Sequence, residues 1–271
     1  MAILQAVRRV AVKLLPQRLK RAAKSATFRF SKAMSKASGM GRASTLRIRN
    51  FDGFEMAYRQ GTVDEAVLKE SFSHDIFFSG VPEYQPAVAD VILDVGAHIG
   101  TFAVLAASKV SRGTVHAIEA CQDTFDYLCM NTALNRMGNL HVHHLALSNE
   151  RGVCTLYHDA ENWGHSVVHR QSVSSETVES RTLQEFFEEN GIARCNFVKF
   201  NCEGAEFPIL LGSSAETLRR IDMMLVLYHG DLWTDNSKEE LMAHLQASGF
   251  ECVTRNQTES RGWIVAVQRS S

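Results

Sequence analysis

The sequence predicts an α/β protein: a seven-stranded, mostly parallel sheet with helices on both faces, plus a basic N-terminal helical arm. Three observations predict it. Seven short apolar runs fall between residues 91 and 267. Helical patterns with recognisable stops separate several of them. The first run, Val91-Ile-Leu93, leads straight into the glycine turn Asp94-Val-Gly-Ala-His-Ile-Gly100. Apolar strands alternating with helices are what a sheet buried on both faces requires.

Taken in order, residues 1–50 carry 13 Lys or Arg and no acid, the first acid being Asp52. The remaining 221 residues hold 16 basic and 30 acidic side chains, a net of −14 that the whole-chain value of −1 conceals. Within the arm, Ile3, Leu4, Val7, Val10, Ala11, Leu14 and Leu15 recur at helical spacing, with Arg8, Arg9 and Lys13 mostly on other faces. Pro16 kinks or divides that helix, and Ser and Lys then alternate towards Gly39 and Gly41 as a linker. Three readings of such an arm stay open: peripheral contact with an anionic membrane through residues 1–50, organelle targeting, or folding over the acidic body. Residues 51–85 read as an N-terminal extension that caps the main domain, residues 86–271, with Phe77 and Tyr84 placed to close over a ligand.

In the main domain the strand runs are 91–95, 114–118, 140–146, 197–201, 223–228, 250–254 and 263–267. A covered helix over 101–110 stops near Gly113. A second over 123–137 keeps Phe125, Leu128, Cys129 and Leu134 to one side and stops at Gly138. Thr182-Leu-Gln-Glu185 and Ser237-Lys-Glu-Glu240 have the form of a capping box, and Gly191 and Gly249 follow where a left-handed residue is wanted. Residues 153–180 break the rhythm. They are polar, contain Trp163, His158, His165 and His169, and read as a loop inserted over one end of the sheet, where it meets the acceptor.

Composition excludes several classes. Six scattered cysteines without a C-x-x-C pair are neither a zinc spacing nor a small disulfide framework, so a reduced, cytoplasmic setting is expected, with any membrane contact peripheral at the inner face. No apolar run approaches the ~20 residues that span a bilayer. No metal site is expected: His141, His143 and His144 lack an accompanying carboxylate or cysteine. No specific nucleic-acid recognition is expected either.

The glycine turn sits where ligands bind in open α/β sheets, beyond the carboxyl ends of the strands. Gly96 and Gly100 permit a sharp turn and close backbone approach. Glu119 closes the second strand 25 residues after Asp94, where a carboxylate accepts the ribose hydroxyls of an adenosine-containing ligand. A dinucleotide calls for G-x-G-x-x-G, and Ala97-His98 stand where its second glycine belongs. S-adenosylmethionine has no phosphate and carries a sulfonium, so a turn with an acid beside it suits that cofactor better.

The segments DVGAHIG, Ile118-Glu119, Leu145-Ala-Leu-Ser148, Arg181-Thr-Leu and Val198-Lys-Phe-Asn-Cys-Glu-Gly-Ala-Glu206 together resemble the FkbM family from about residue 64 to the C-terminus. The resemblance implies a Rossmann-like class I S-adenosylmethionine-dependent methyltransferase whose seventh strand runs antiparallel. It also implies O-methylation of hydroxyls on sugars, lipids or secondary metabolites, a small-molecule, glycan or lipid acceptor being the partner. By that resemblance Asp94, Gly96, His98, Gly100 and Glu119 line the cofactor site, and Ala146 and Ser148 face the adenine. One position departs: the family reads K-x-D-x-E-G-x-E where this chain has Asn201 in place of the aspartate. An amide exchanges hydrogen bonds but neither takes a proton nor balances a cation. The catalytic candidates are therefore Glu203, His229 and Asn201, with imidazole suited to proton transfer near neutrality. Glu206 reads equally well as a helix-start acid. Two alternatives are a cofactor-binding scaffold of low activity, which Asn201 and the arm suggest, and a NAD-dependent oxidoreductase, which the missing glycine argues against.

Overall fold

The computed structural model describes residues 45–158, 174–233 and 237–269. The readings made for the arm before residue 45 lie outside them, as do Trp163, His165, His169 and the side chain of His158. The first element is a hairpin of β1 (Thr45–Phe51) and β2 (Phe54–Gln60), paired from Thr45↔Gln60 to Phe51↔Phe54. Asp52 and Gly53 make its two-residue turn with φ of 50° and 92°, the handedness a tight hairpin needs. Helix α1 (Asp64–Leu68) follows and widens into a π-helical turn, Lys69–Ser73, a distortion often found beside functional sites.

The main sheet takes β3 (Val91–Val95), β4 (Thr114–Glu119), β5 (Leu140–His144), β9 (Phe197–Phe200), β10 (Met223–His229), β11 (Phe250–Arg255) and β12 (Arg261–Gln268) in the order β11-β12-β10-β9-β3-β4-β5. Strands β5, β4, β3, β9 and β10 are parallel, while β12 runs antiparallel to both β10 and β11. Strand order reverses between β3 and β9, which opens a crevice at their carboxyl ends.

Alternate residues of each central strand feed opposite faces, as a period of two demands. Ile92, Phe197, Leu225 and Val265 enter one core with Phe102 and Ala106 of α2 (Thr101–Lys109), Tyr127 of α3 (Gln122–Leu134), and Met56 and Tyr58 of the hairpin. Leu93, Val198, Val226 and Ile264 enter the other with Phe186 and Phe187 of α4 (Leu183–Glu189), Leu210 of α5 (Glu206–Leu211) and Leu245 of α7 (Lys238–Ala247). A short α6 (Ala215–Leu218) lies between α5 and β10. The capping box at Thr182 is complete: its hydroxyl accepts from Glu185 N (3.2 Å) while Glu185 accepts from Thr182 N (3.0 Å). Ser237 caps α7 through Glu240 N.

The run at 140–146 does not stay one strand. Its last part leaves the sheet as β6 (Ala146–Leu147) and pairs with β8 (Ser174–Arg181), itself antiparallel to β7 (Gly152–His158). The polar segment thus contributes a second, three-stranded sheet. Its alternation is thin, Leu156 and Val178 being the buried apolar pair, which is why a loop was the expectation there.

The β4–β5 register places His116 opposite His141 and Ile118 opposite His143. His116 Nδ1 lies 3.1 Å from His143 Nε2, and the His116 and His141 rings stack. Among the described residues no group of three His, Cys, Asp or Glu is placed to hold a metal ion. Burial, and then repulsion from neighbouring imidazoles, pushes His116 down to about 3 and His143 to about 4. Folded values below the unfolded ~6.5 mean that the unfolded chain binds the extra protons. This contribution is complete above about pH 6.5 and fades as pH falls towards 4. At pH 5 each neutral imidazole forfeits about 2 kcal/mol, so the pair costs up to about 4. Glu119, raised to about 7, works in the opposite direction, so the effect is read against a variant. His143→Phe is expected to shrink the loss of Tm between pH 7 and pH 5 by roughly 4–8 °C. Thermal unfolding at both pH values checks this, and parallel behaviour of the two proteins would contradict it.

Candidate active site

The turn after β3 is pinned by backbone bonds before any side chain acts. Gly96 N (3.1 Å) and Ala97 N (2.9 Å) both donate to Ile118 O at the end of β4, and Asn201 N donates to Val95 O (2.9 Å). Three strand ends are thereby tied together. Gly96 has φ +76°, and a Cβ there would stand 2.7 Å from the Asn201 carbonyl carbon. Only a residue without a side chain lets β3 and β9 approach this closely.

Glu119 accepts from His98 N at one oxygen and from Cys121 N at the other, both at 2.8 Å. Each oxygen keeps a lone pair for a ligand. Burial pushes this carboxyl up to about 7 even against those two bonds. His98 takes φ +55° to present its N–H in this way, and its Nε2 lies 3.5 Å from Asp64 Oδ1.

Asp94 and Lys199 face each other across β3 and β9, in register. Lys199 Nζ donates to Asp94 Oδ1 (2.7 Å) and Gly96 O (3.3 Å), and sits 5.4 Å from the Phe77 ring centroid and 5.6 Å from that of Phe102. The second Asp94 oxygen is buried without a partner. The pair forms the floor of the cleft, with the ammonium rather than the carboxylate facing its space.

The hairpin and α1 close one side. Arg59 forks onto Asp64 (2.9 Å twice) and reaches Asp123 (3.0 Å) at the start of α3. Asn131 on α3 accepts from Ala57 N (2.6 Å) and donates to Ala57 O and Ile99 O (3.1 and 2.7 Å), stitching hairpin, helix and glycine turn together. The cleft that results holds about 1110 Å³ of space, counted together with the solvent at its open mouth.

At the far wall Glu203 adopts φ +50° and Gly204 +96°. Behind Glu203 stands His229, the last residue of β10, with Nε2 3.6 Å from Glu203 Oε1 and Nδ1 2.6 Å from Glu206 Oε1. Burial, opposed by the His229 charge, raises Glu203. Burial alone would lower His229, but the hydrogen bond and charge of Glu206, with the charge of Glu203, hold it above the ordinary histidine value.

The structure brings Gly96, His98, Glu119, Ala146, Asn201 and Glu203 to one cleft wall or another. Phe77 joins them, as do Glu70 and Val67 from the segment around α1, which carries no local sequence signal for a site. Gly100 instead starts α2 in the left-handed region, packed towards Leu128. Ser148 is apart as well: its hydroxyl donates to Asn149 Oδ1 (3.1 Å) and borders a separate small hollow beside Thr182 and Ser213. Tyr84 packs in the same core as Phe77 but away from the cleft, near the start of β9, stacked on Phe197 at 4.4 Å and donating to Asp90 (2.7 Å). No helix among the described residues is long and apolar enough to cross a membrane.

Three comparisons bear on identity. The family model of the methyltransferase FkbM domain matches residues 94–252. The chain is 26% identical over 240 residues to the 31-O-demethyl-FK506 methyltransferase FkbM of Streptomyces tacrolimicus, covering 77% of this chain and 89% of that protein. It is 30% identical over 142 residues to the hexuronic acid methyltransferase AglP of Haloferax volcanii, covering 52% of this chain and 56% of that one. In fold it is similar to a methyltransferase FkbM of Methylobacillus flagellatus KT, with a TM-score of 0.50, 12% identity, and coverage of 75% of this chain and 53% of that one.

The residues fit the cofactor of such enzymes. A glycine turn that draws the ends of β3 and β9 together at the cleft, a carboxylate with two lone pairs held ready, and apolar walls from Ile118, Leu145, Leu147 and Leu156 suit an adenosyl group. Among the described residues that line the cleft, Gly96 is the one glycine. The chain belongs to the FkbM family of Rossmann-like class I methyltransferases, and its cofactor is S-adenosylmethionine.

Proposed function

We propose that the protein methylates a hydroxyl oxygen of a small sugar, lipid or secondary metabolite, and that Glu203 is the base. One observation carries the reading: a partly buried carboxylate with a raised pKa stands in the cleft wall, backed by an imidazole. The hydroxyl and sugar chemistry in the names of the two relatives supports the choice of acceptor.

S-adenosylmethionine, when bound, supplies an electrophilic methyl group on a positively charged sulfur. Gly96 gives it close backbone approach, and Glu119 accepts its ribose hydroxyls. Ala146 and the neighbouring leucines flank its adenine. Asn201 contributes hydrogen bonds at the amino-acid end, where an aspartate would add charge. Holding acceptor and donor in line accounts for roughly 7–11 kcal/mol of the barrier. Glu203 takes the hydroxyl proton as oxygen attacks, an effect of about 10²–10⁴-fold.

The test is a panel of hydroxylated acceptors, hexuronic acids included, with isotopically labelled methyl donor. Label is expected on oxygen. Glu203→Gln is expected to lower kcat by about 10²–10⁴-fold while S-adenosylhomocysteine binds within threefold of wild type by calorimetry. Wild-type turnover in that variant, or label on nitrogen or carbon, would refute the proposal.

A further inference from the structure

We infer that Glu206 is a positioning residue for this chemistry: it holds His229 so that the imidazole addresses Glu203 with Nε2. The inference deepens the base assignment above and rests on it. Three groups line up from cleft to core. Glu203 is in the wall, His229 lies 3.6 Å behind it, and Glu206 lies 2.6 Å behind His229.

Glu206 opens α5, where an acid in the first turn is favoured by the helix dipole alone. Two features go beyond that. Its side chain is fully buried, a costly place for a carboxylate. It is also spent on the imidazole, Oε1 meeting Nδ1 while Oε2 has no partner. A carboxylate at 2.6 Å accepts from Nδ1–H and so fixes the tautomer. That leaves Nε2 as the nitrogen that meets Glu203. The same arrangement, a buried acid orienting a histidine that serves a group in the site, recurs in unrelated enzymes.

The proton balance is simple. The acceptor hydroxyl loses its proton to Glu203 as the oxygen–methyl bond forms and the sulfur–methyl bond breaks, its electron pair going to sulfur. That proton is then shared between Glu203 Oε1 and His229 Nε2, and leaves to solvent through the cleft. The negative charge of Glu206 makes the imidazole basic enough to share it. The other charges that act on this ring, less directly, are Arg261 and Asp231, which are occupied in their own fork at 2.9 Å.

The experiment is a pH titration of His229 in the full chain by NMR with ¹⁵N-labelled histidine, the resonance being assigned by its loss in His229→Gln. In wild type the midpoint is expected above that of free histidine, with the Nδ1–H tautomer dominant. Glu206→Gln is expected to lower the midpoint by a unit or more, a tenfold loss of proton affinity, because burial then acts unopposed. S-adenosylhomocysteine affinity is expected to stay within threefold. Glu206→Asp keeps the charge but retracts it, is expected to fall between, and carries the test should the glutamine variant not fold. With an acceptor in hand, Glu206→Gln is expected to move the pH–rate profile, whereas a uniform loss at every pH would mark a merely structural role and overturn the inference. An unchanged His229 titration in both variants would overturn it as well. The titration needs no acceptor, so its failure is distinct from the failure of Glu203 as base, which the Glu203→Gln turnover reads.

Discussion

Gly96→Ala is expected to weaken S-adenosylhomocysteine binding by more than 100-fold. Two costs coincide at this position. The φ of +76° is one that alanine adopts only under strain of order 1–3 kcal/mol. The new Cβ would also press on backbone, the Asn201 carbonyl carbon at 2.7 Å and Cys202 Cα at 3.3 Å. Backbone cannot swing aside as a side chain does. Asn201 is fixed by its bond to Val95 O, and Gly96 and Ala97 by theirs to Ile118 O, so relief means breaking a tie between strand ends. The displaced atoms also line the cleft, so a shift of about 1 Å reaches the ligand directly, and misplacement of that size costs about 100-fold in rate as well. Gly100→Ala is the control. It shares a positive φ, 86°, but its Cβ would meet the Leu128 side chain, which can repack. That variant is expected to lose Tm and retain more of its affinity. Calorimetry and thermal unfolding of the two variants separate the effects, and wild-type affinity in Gly96→Ala would remove the turn from the cofactor site.

Much of this architecture is legible in the sequence, and the parts that are not share a cause. The central strands of the main sheet announce themselves because burial on both faces makes them almost continuously apolar, as in Val91–Val95 and Met223–His229. The capping box at Thr182 is equally local. The hairpin is local too: Asp52-Gly53 between two alternating runs is a strong turn dipeptide. What the sequence does not show is which distant side chain answers a polar group. Asp94 reads as an acid for the cofactor until Lys199, 105 residues later, is found bonded to it. Asn131 reads as an ordinary helix residue until its three backbone partners on the hairpin and the turn are seen. Glu206 reads as a helix-start acid, and only the fold brings His229 within 2.6 Å. Spacing identifies a motif, but it is register that assigns its partners.

That long-range pair carries the second large effect. Lys199→Met is expected to destabilise the protein by about 3–5 kcal/mol, because it strands the Asp94 carboxylate in a fully buried position. For a chain of this size that lowers Tm by roughly 6–20 °C. The sign of its pH dependence follows from the same groups. Burial pushes Asp94 above the ordinary carboxylate value, and the charge and hydrogen bond of Lys199 are what hold it back. Without Lys199 the folded value rises further, so the native state keeps a proton that the unfolded chain releases above about pH 4. The variant's deficit is therefore expected to be smallest in acid and to grow as pH rises. Asp94→Asn alone leaves a buried ammonium with Gly96 O, two aromatic faces and the more distant charge of Glu70 for company. Combining the two substitutions removes both charges, so the double variant is expected to be more stable than the sum of the single losses by at least 1–2 kcal/mol. Urea unfolding of the four proteins at pH 5 and pH 8 measures the coupling. Additive losses independent of pH would mean that the two side chains are not energetically paired, and that the floor of the cleft is held by the backbone ties at Gly96 alone.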